Sequence, residues 1–179
     1  MKKVIAIVGA RPQFIKHFAL EKEADGIFDF KTIHTGQHYD SNMSQVFFNE
    51  LRMRRPDYSL SLGGGLHGEQ TGKMLLEIER ILMMEQPERV IVYGDTNSTL
   101  AGALASVKLQ IPLAHVEAGL RSYNREMPEE INRILTDHVS KWHFAPSEQA
   151  KENLAKEGIK DNVFVVGDIM KDLVLKAVS

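Results

Sequence analysis

The strongest constraint on this chain is an alternation. Apolar runs rich in Val and Ile recur at residues 4–8, 32–34, 89–93, 112–115, 142–144 and 163–166. Between them, apolar residues repeat at three- and four-residue spacing over 12–24, 41–51, 69–84, 98–108, 128–139, 147–156 and 169–178. A run that is apolar at nearly every position suits a strand buried on both faces, and the longer period suits a helix with one buried side. Strand–helix repetition makes successive strands parallel, joined by right-handed crossovers. The expected fold is α/β: one doubly wound, Rossmann-like parallel sheet over residues 1–179, with helices covering both faces. Residues 52–68, with Arg54-Arg55-Pro56 and Gly63-Gly64-Gly65, are the main interruption and read as a mobile surface loop.

Bulk properties remove several function classes. Hydrophobic residues make up 43% of the chain, enough for a real core. A net charge of −2 leaves no electrostatic footprint for nucleic acid or an anionic membrane, so neither is an expected partner. The absence of cysteine rules out disulfides, thiolate zinc sites and cysteine nucleophiles, and makes a cytoplasmic location the simplest expectation. The opening VIAIVGA is short and ends at Arg11-Pro12 without a cleavage pattern, so it reads as a first strand rather than a signal peptide. No run approaches the ~18 apolar residues of a membrane-spanning helix.

A doubly wound sheet binds ligands beyond the carboxyl ends of its strands. The first such end reads VGARPQFIK. Gly9 permits a tight turn, Pro12 opens a helix whose free N–H groups favour anions, and Arg11 and Lys16 add positive charge there. A phosphate or sugar-nucleotide contact and a plain solvated turn are about equally supported by these residues. The G-x-G-x-x-G fingerprint is missing, which disfavours NAD. In VIVYGDTNSTLAGALAS, a strand delivers Asp95 to its carboxyl end. Thr96, Asn97, Ser98 and Thr99 follow, more capping groups than one helix start requires, so Asp95 is favoured as a functional carboxylate over a mere cap. The small residues Ala101, Gly102, Ala103 and Ala105 predict a helix packed close to the sheet.

The fifth strand runs into HVEAGLRSYNREMPEEINR. Glu117 lies just past the strand, near Gly119 and Arg121. Pro128 with Glu129 and Glu130 makes a favourable helix start. In that helix Ile131, Ile134, Leu135 and His138 form the expected buried stripe, with Glu129, Asn132, Arg133 and Asp137 on another side. Glu129 and Arg133 have the spacing of an ion pair. Asp95, Glu117 and Glu129 could converge on one crevice, where grouped carboxylates supply a proton acceptor and donor near neutral pH. A divalent cation is the alternative use, disfavoured by Arg121 and Arg133 nearby, and no H-E-x-x-H spacing appears, so no metal is expected. His34, His38, His67 and His115 are candidate bases or ligands, though ordinary polar or core histidines are the more common case.

GARPQFIK, TGQHYD, VYGDTNSTLAGALAS, HVEAGLRS, MPEEINR and VVGDIMKD occur in the order and spacing of the non-hydrolysing UDP-N-acetylglucosamine 2-epimerases, which this chain resembles over essentially its whole length. The resemblance implies a two-domain, glycosyltransferase-B-type architecture of which residues 1–179 match the N-terminal half. The active site would lie in the cleft with a C-terminal UDP-binding domain absent from this chain. It implies interconversion of UDP-GlcNAc and UDP-ManNAc by elimination of UDP to 2-acetamidoglucal and re-addition with inversion at C2, without a cofactor. Asp95, Glu117 and Glu129 match the family's catalytic acids, and Arg11 and Lys16 its phosphate-side cations, with Arg133 in support. A homodimer built through N-terminal helices is expected, and little activity from this half alone. Members regulated by UDP-GlcNAc carry an Arg-Gln pair here; this chain keeps the Gln as Gln70 and has Glu69 in place of the Arg, which leaves that regulation open. GGGLHGEQTG and RSYNREMPEEINR also resemble a subgroup acting on UDP-2,3-diacetamido-2,3-dideoxy-glucuronic acid. A glycosyltransferase half and a non-catalytic nucleotide-sugar binding module are the competing readings.

Overall fold

The computed structural model describes residues 1–37 and 54–171. The helix expected at 41–51, His38, and most of the helix expected at 169–178 lie outside the described residues. Among the described residues there are seven strands, β1 (Lys2–Val8), β2 (Phe28–His34), β3 (Tyr58–Ser59), β4 (Arg89–Tyr93), β5 (Leu113–Val116), β6 (Trp142–Ala145) and β7 (Val163–Val165). Five helices separate them: α1 (Arg11–Ala24), α2 (His67–Glu85), α3 (Asn97–Lys108), α4 (Pro128–Val139) and α5 (Glu148–Lys156). The strands form one sheet in the order β3-β2-β1-β4-β5-β6-β7, every neighbouring pair parallel. The chain reverses its direction of travel between β1 and β4, the crevice where this fold places ligands.

Strand alternation divides the core. Ile5 and Ile7 of β1 point to one face and pack with Met74, Ile78 and Leu82 of α2 and Ala101, Ala103 and Ala105 of α3. Val4, Ala6 and Val8 point to the other and pack with Phe14 of α1 and Phe30. Successive side chains of a strand go to opposite faces, so a strand buried on both must be apolar throughout, as β1 is. The predicted close approach of α3 is present: a Cβ on Gly102 would lie 2.7 Å from the Cδ1 of Ile7.

Two expectations need correction. Residues 52–68 contain the edge strand β3, and Tyr58, Leu60 and Leu62 pack against the core. The short, half-apolar run YSLSL carries too weak an alternation to outweigh the glycines and arginines around it. Among the described residues, α1 packs on the second face of the sheet through Phe14. A groove of about 640 Å³ runs along it, walled by α1 residues such as Leu20 and floored by Ile91, Val116, Phe144 and Phe164. Continuous apolarity reports that a strand belongs to a buried sheet without saying what lies over it. The second correction concerns α4, whose stripe is inverted. Glu130, Asn132, Thr136 and Asp137 are its buried residues, whereas Ile131 is 39% and Leu135 44% exposed. Periodicity locates two sides of a helix; it does not say which one faces inward when the interior partner is polar.

Candidate functional site

The turns after β1, β2 and β4 meet where Gly9 leaves no room for a side chain: a Cβ there would lie 2.0 Å from the Ser98 hydroxyl and 2.5 Å from that of Thr35. Gly9 is thus required by close packing. The surplus of polar residues after Asp95 is also accounted for. Thr96 caps α3, its hydroxyl accepting from the Thr99 N–H at 3.3 Å. The Thr99 hydroxyl donates to the Tyr93 carbonyl at 2.6 Å, and Ser98 reaches Thr35 and Gln37. Asn97 donates to Gln70 at 2.8 Å and receives from Asn132 at 3.1 Å.

Gln13, which sequence reasoning passed over, ties the β1 turn to the β4 turn. Its carboxamide oxygen accepts from the Gly9 and Ala10 N–H groups at 2.7 and 3.1 Å, and its nitrogen donates to the Tyr93 carbonyl at 2.6 Å. The Gly9 and Ala10 N–H groups therefore already have a partner, while Arg11 sits exposed at the start of α1. The only hint in the sequence was a long amide at the third position of a helix start that lacks a Ser, Thr, Asp or Asn cap.

Two ion pairs face the carboxyl edge. Lys16 of α1 binds one oxygen of Glu117, and Arg133 of α4 binds one oxygen of Asp95. Neither second oxygen, Oε1 of Glu117 nor Oδ1 of Asp95, has a partner among the described residues, and the two side chains are 29% and 31% exposed. Each acid is held in place through one oxygen and left open through the other. Glu117 also occupies the left-handed backbone region, φ +73°, which a side chain with a Cβ enters at a cost of about 1–3 kcal/mol. That turn is held by the Glu117 and Ala118 N–H groups, both donating to the Phe144 carbonyl at 3.0 and 3.1 Å. Next to it Gly119, at φ +81°, runs so close to α5 that a Cβ would meet the Ala150 carbonyl oxygen at 2.3 Å.

The buried polar face of α4 is the other half of the site. Asn132 donates to the Asp95 carbonyl at 2.9 Å, Arg133 binds the Asp95 carboxylate, and Asp137 reaches His115 at 2.6 Å. Glu130 accepts from the Ser122 and Tyr123 N–H groups at 3.0 and 2.8 Å and pairs with Arg133 at 3.0 Å. Burial works against its charge, but these donors outweigh burial and hold its carboxyl below the usual range. The expected pair between Glu129 and Arg133 is therefore replaced by Glu130 with Arg133. Glu129 lies exposed on the first turn of α4 and makes no ion pair among the described residues. The structure thus joins Lys16 with Glu117, and Asp95 with Arg133, and leaves Glu129 apart at the rim. Among the described residues no group of three or more His, Asp or Glu side chains is arranged to hold a metal ion, and no helix is long and apolar enough to cross a membrane.

A doubly wound parallel sheet of this strand order is a Rossmann-like domain, a fold that binds its ligands at the carboxyl edge. A model of the UDP-N-acetylglucosamine 2-epimerase family matches residues 20–179, and the chain belongs to that family. It is 57% identical over 177 residues to a UDP-N-acetylglucosamine 2-epimerase homolog of Methanococcus maripaludis, covering 99% of this chain and 50% of the relative. It is 53% identical to a UDP-2,3-diacetamido-2,3-dideoxy-D-glucuronate 2-epimerase of Pseudomonas aeruginosa, covering 97% of this chain and 50% of the relative. The crystal structure of Methanocaldococcus jannaschii UDP-GlcNAc 2-epimerase with UDP-GlcNAc and UDP superposes with a TM-score of 0.94 at 53% identity, over 98% of this chain and 49% of that one. The chain spans about half the length of the curated relatives it matches.

Proposed function

We propose that this chain acts as the N-terminal domain of a UDP-N-acetylglucosamine 2-epimerase and supplies its acid–base groups. The observation that carries the reading is the pair Asp95 and Glu117, each pinned by a cation through one oxygen and open through the other. Epimerisation at C2 needs a proton acceptor on one face of the sugar and a donor on the other. In the elimination, a carboxylate takes the C2 proton, the C1=C2 bond forms and the C1–O bond to UDP breaks. In the return step UDP re-adds at C1 and a proton reaches C2 from the opposite face. Asp95 and Glu117 are assigned to these transfers, with Glu129 as the third acid arriving from the rim. Arg11 and Lys16 meet the diphosphate, and Arg133 sets the orientation of Asp95. Positive charge near the diphosphate makes UDP a better leaving group. A second domain closing over the crevice would retain the glucal. The carbon chemistry needs no redox cofactor.

The 57%-identical relative supports UDP-GlcNAc as the substrate, and the 53%-identical relative makes the diacetamido-glucuronate the second reading. The exposed Ile131 and Leu135 on α4, with Leu76 and Met83 on α2, support a homodimer assembled through these helices. The decisive experiment is epimerisation of UDP-GlcNAc in deuterated water, using this chain alone and the chain continued by whatever its gene encodes after residue 179. Deuterium at C2 in the continued protein, lost in Asp95→Asn and Glu117→Gln, is the expected result. Exchange only with the diacetamido sugar moves the substrate. Exchange with neither sugar sinks the epimerase reading.

A further inference from the structure

Of the four buried histidines among the described residues, His17, His115 and His143 have partners that set different charge states. His17 faces the hydroxyls of Tyr93 and Thr32 at 3.1 and 2.8 Å, which can donate or accept. Its burial lowers its pKa to about 4, so it is neutral. On β6, His143 gives one N–H to the Asp137 backbone carbonyl at 2.8 Å, and its Nδ1 has no partner among the described residues, the pattern of a neutral ring. His115, the register partner of His143 on β5, is different. Its Nδ1 lies 2.6 Å from the Asp137 carboxylate and its Nε2 lies 2.7 Å from the Gly94 carbonyl oxygen. Both partners can only accept, so both ring nitrogens must carry a proton. The other Asp137 oxygen accepts from Arg121 at 2.7 Å and from the Gly119 N–H at 3.1 Å, which keeps the negative charge on Asp137. Arg121 in turn pairs with Glu157 at 2.7 Å. Two cations and two anions then balance: His115 and Arg121 against Asp137 and Glu157. Glu157, 25% exposed and 3.7 Å from His138, carries its charge at the edge of this cluster.

The Gly94 carbonyl belongs to the peptide that leads into Asp95. The next carbonyl, that of Asp95 itself, is held by Asn132. We infer that His115 is a positioning residue, clamped as an imidazolium between Asp137 and the Gly94 carbonyl, that fixes the peptide plane presenting Asp95. The same ring sits two residues before Glu117, so it couples the turns carrying both acids. The consequence for turnover rests on the role proposed above for Asp95; the charge state and the clamp do not.

The first test is therefore independent of activity. In this chain with ring-15N histidine, long-range proton–nitrogen correlation at neutral pH should show one set of signals with both nitrogens protonated, missing in His115→Gln. His17 and His143 should show singly protonated rings. A singly protonated His115 overturns the inference. Hydrogen exchange over residues 94–97 should accelerate in His115→Gln; unchanged exchange there removes the clamp. Should His115→Gln fail to fold, Asp137→Asn serves the exchange arm and the wild-type spectrum still decides the charge state. In a protein whose wild type turns over, His115→Gln should lower kcat about 10²-fold with little change in KM, the size expected from misplacing a reacting group. Turnover within twofold of wild type at lowered thermal stability would make His115 merely structural. A wild type without turnover counts against the epimerase reading only, because the spectrum and the exchange data still decide this one.

Discussion

Near the amino edge of the sheet, Glu85 accepts from Lys3, Lys31 and Tyr58, and both of its oxygens are taken. At the carboxyl edge, among the described residues, Asp95 and Glu117 each meet a single cation and keep one oxygen open. The ingredients are the same, acids beside lysines and arginines, and the difference lies in saturation. A carboxylate whose acceptor sites are filled is a bolt: it joins α2 to β1, β2 and β3 and has no capacity left for a ligand. A carboxylate with one filled side is oriented and still able to take a proton. Counting ion pairs does not separate the two edges; counting the lone pairs left over does.

The largest expected effect tests the open side. Glu117→Gln keeps the shape and the acceptor toward Lys16 but removes the basic oxygen. Turnover of UDP-GlcNAc should fall by about 10²–10⁴-fold, the usual contribution of a general acid or base, measured as C2 proton exchange. Asp95→Asn should behave alike. A fall under tenfold in both would mean that openness at this edge has nothing to do with proton transfer.

Glu85→Gln tests the saturated side. Hydrogen bonds from Lys31, then Tyr58 and Lys3, hold the Glu85 carboxyl down from 4.5 to about 2. A folded-state value below the unfolded one means stability that is complete above about pH 4.5 and is lost as pH falls toward about 2. Partial solvent screening limits the contribution to about 1–2 kcal/mol. The substitution should therefore lower the urea midpoint at pH 7, flatten the acid limb of the stability curve, and leave turnover within about twofold. An acid limb unchanged by Glu85→Gln would remove the distinction between the edges.

How much of this was legible follows from what each kind of signal encodes. The runs VIAIV and RVIVY are apolar at almost every position, so strands and sheet class could be read directly. Pro128 and the acids after it placed the start of α4 at its observed residue. Asp95 stood out because more capping groups follow it than one helix start requires, and Glu117 because it follows an apolar strand beside Gly119 and Arg121. Lys16 and Arg133 stood out as cations but not as partners of these acids: Lys16 comes from 101 residues earlier in the chain and Arg133 from 38 residues later. Glu130 could not be told from Glu129, since adjacent acids at a helix start are equivalent until the loop that donates to one of them is in place. His115 could not be separated from six other histidines without knowing that both of its neighbours are acceptors.

The smallest effect sharpens the comparison from the far side of α4. An apolar stripe at helical spacing normally marks the buried side, and truncating a buried Ile or Leu costs about 2–5 kcal/mol. In this helix the carboxyl edge recruits the polar side, because Asp95, His115 and the Ser122–Tyr123 loop all take donors or acceptors from it. Ile131 and Leu135 are left facing outward. Ile131→Gln and Leu135→Gln should then each change monomer stability by no more than about 0.5 kcal/mol in urea unfolding at low protein concentration. Their effect should appear in self-association, as a weaker concentration dependence of molecular mass in sedimentation. A loss of 2 kcal/mol or more from the dilute monomer would put the apolar side of α4 in the core and break the link between its polar side and Asp95. A stability change within the smaller bound, with self-association unaltered, would keep that link and remove α4 from the dimer surface.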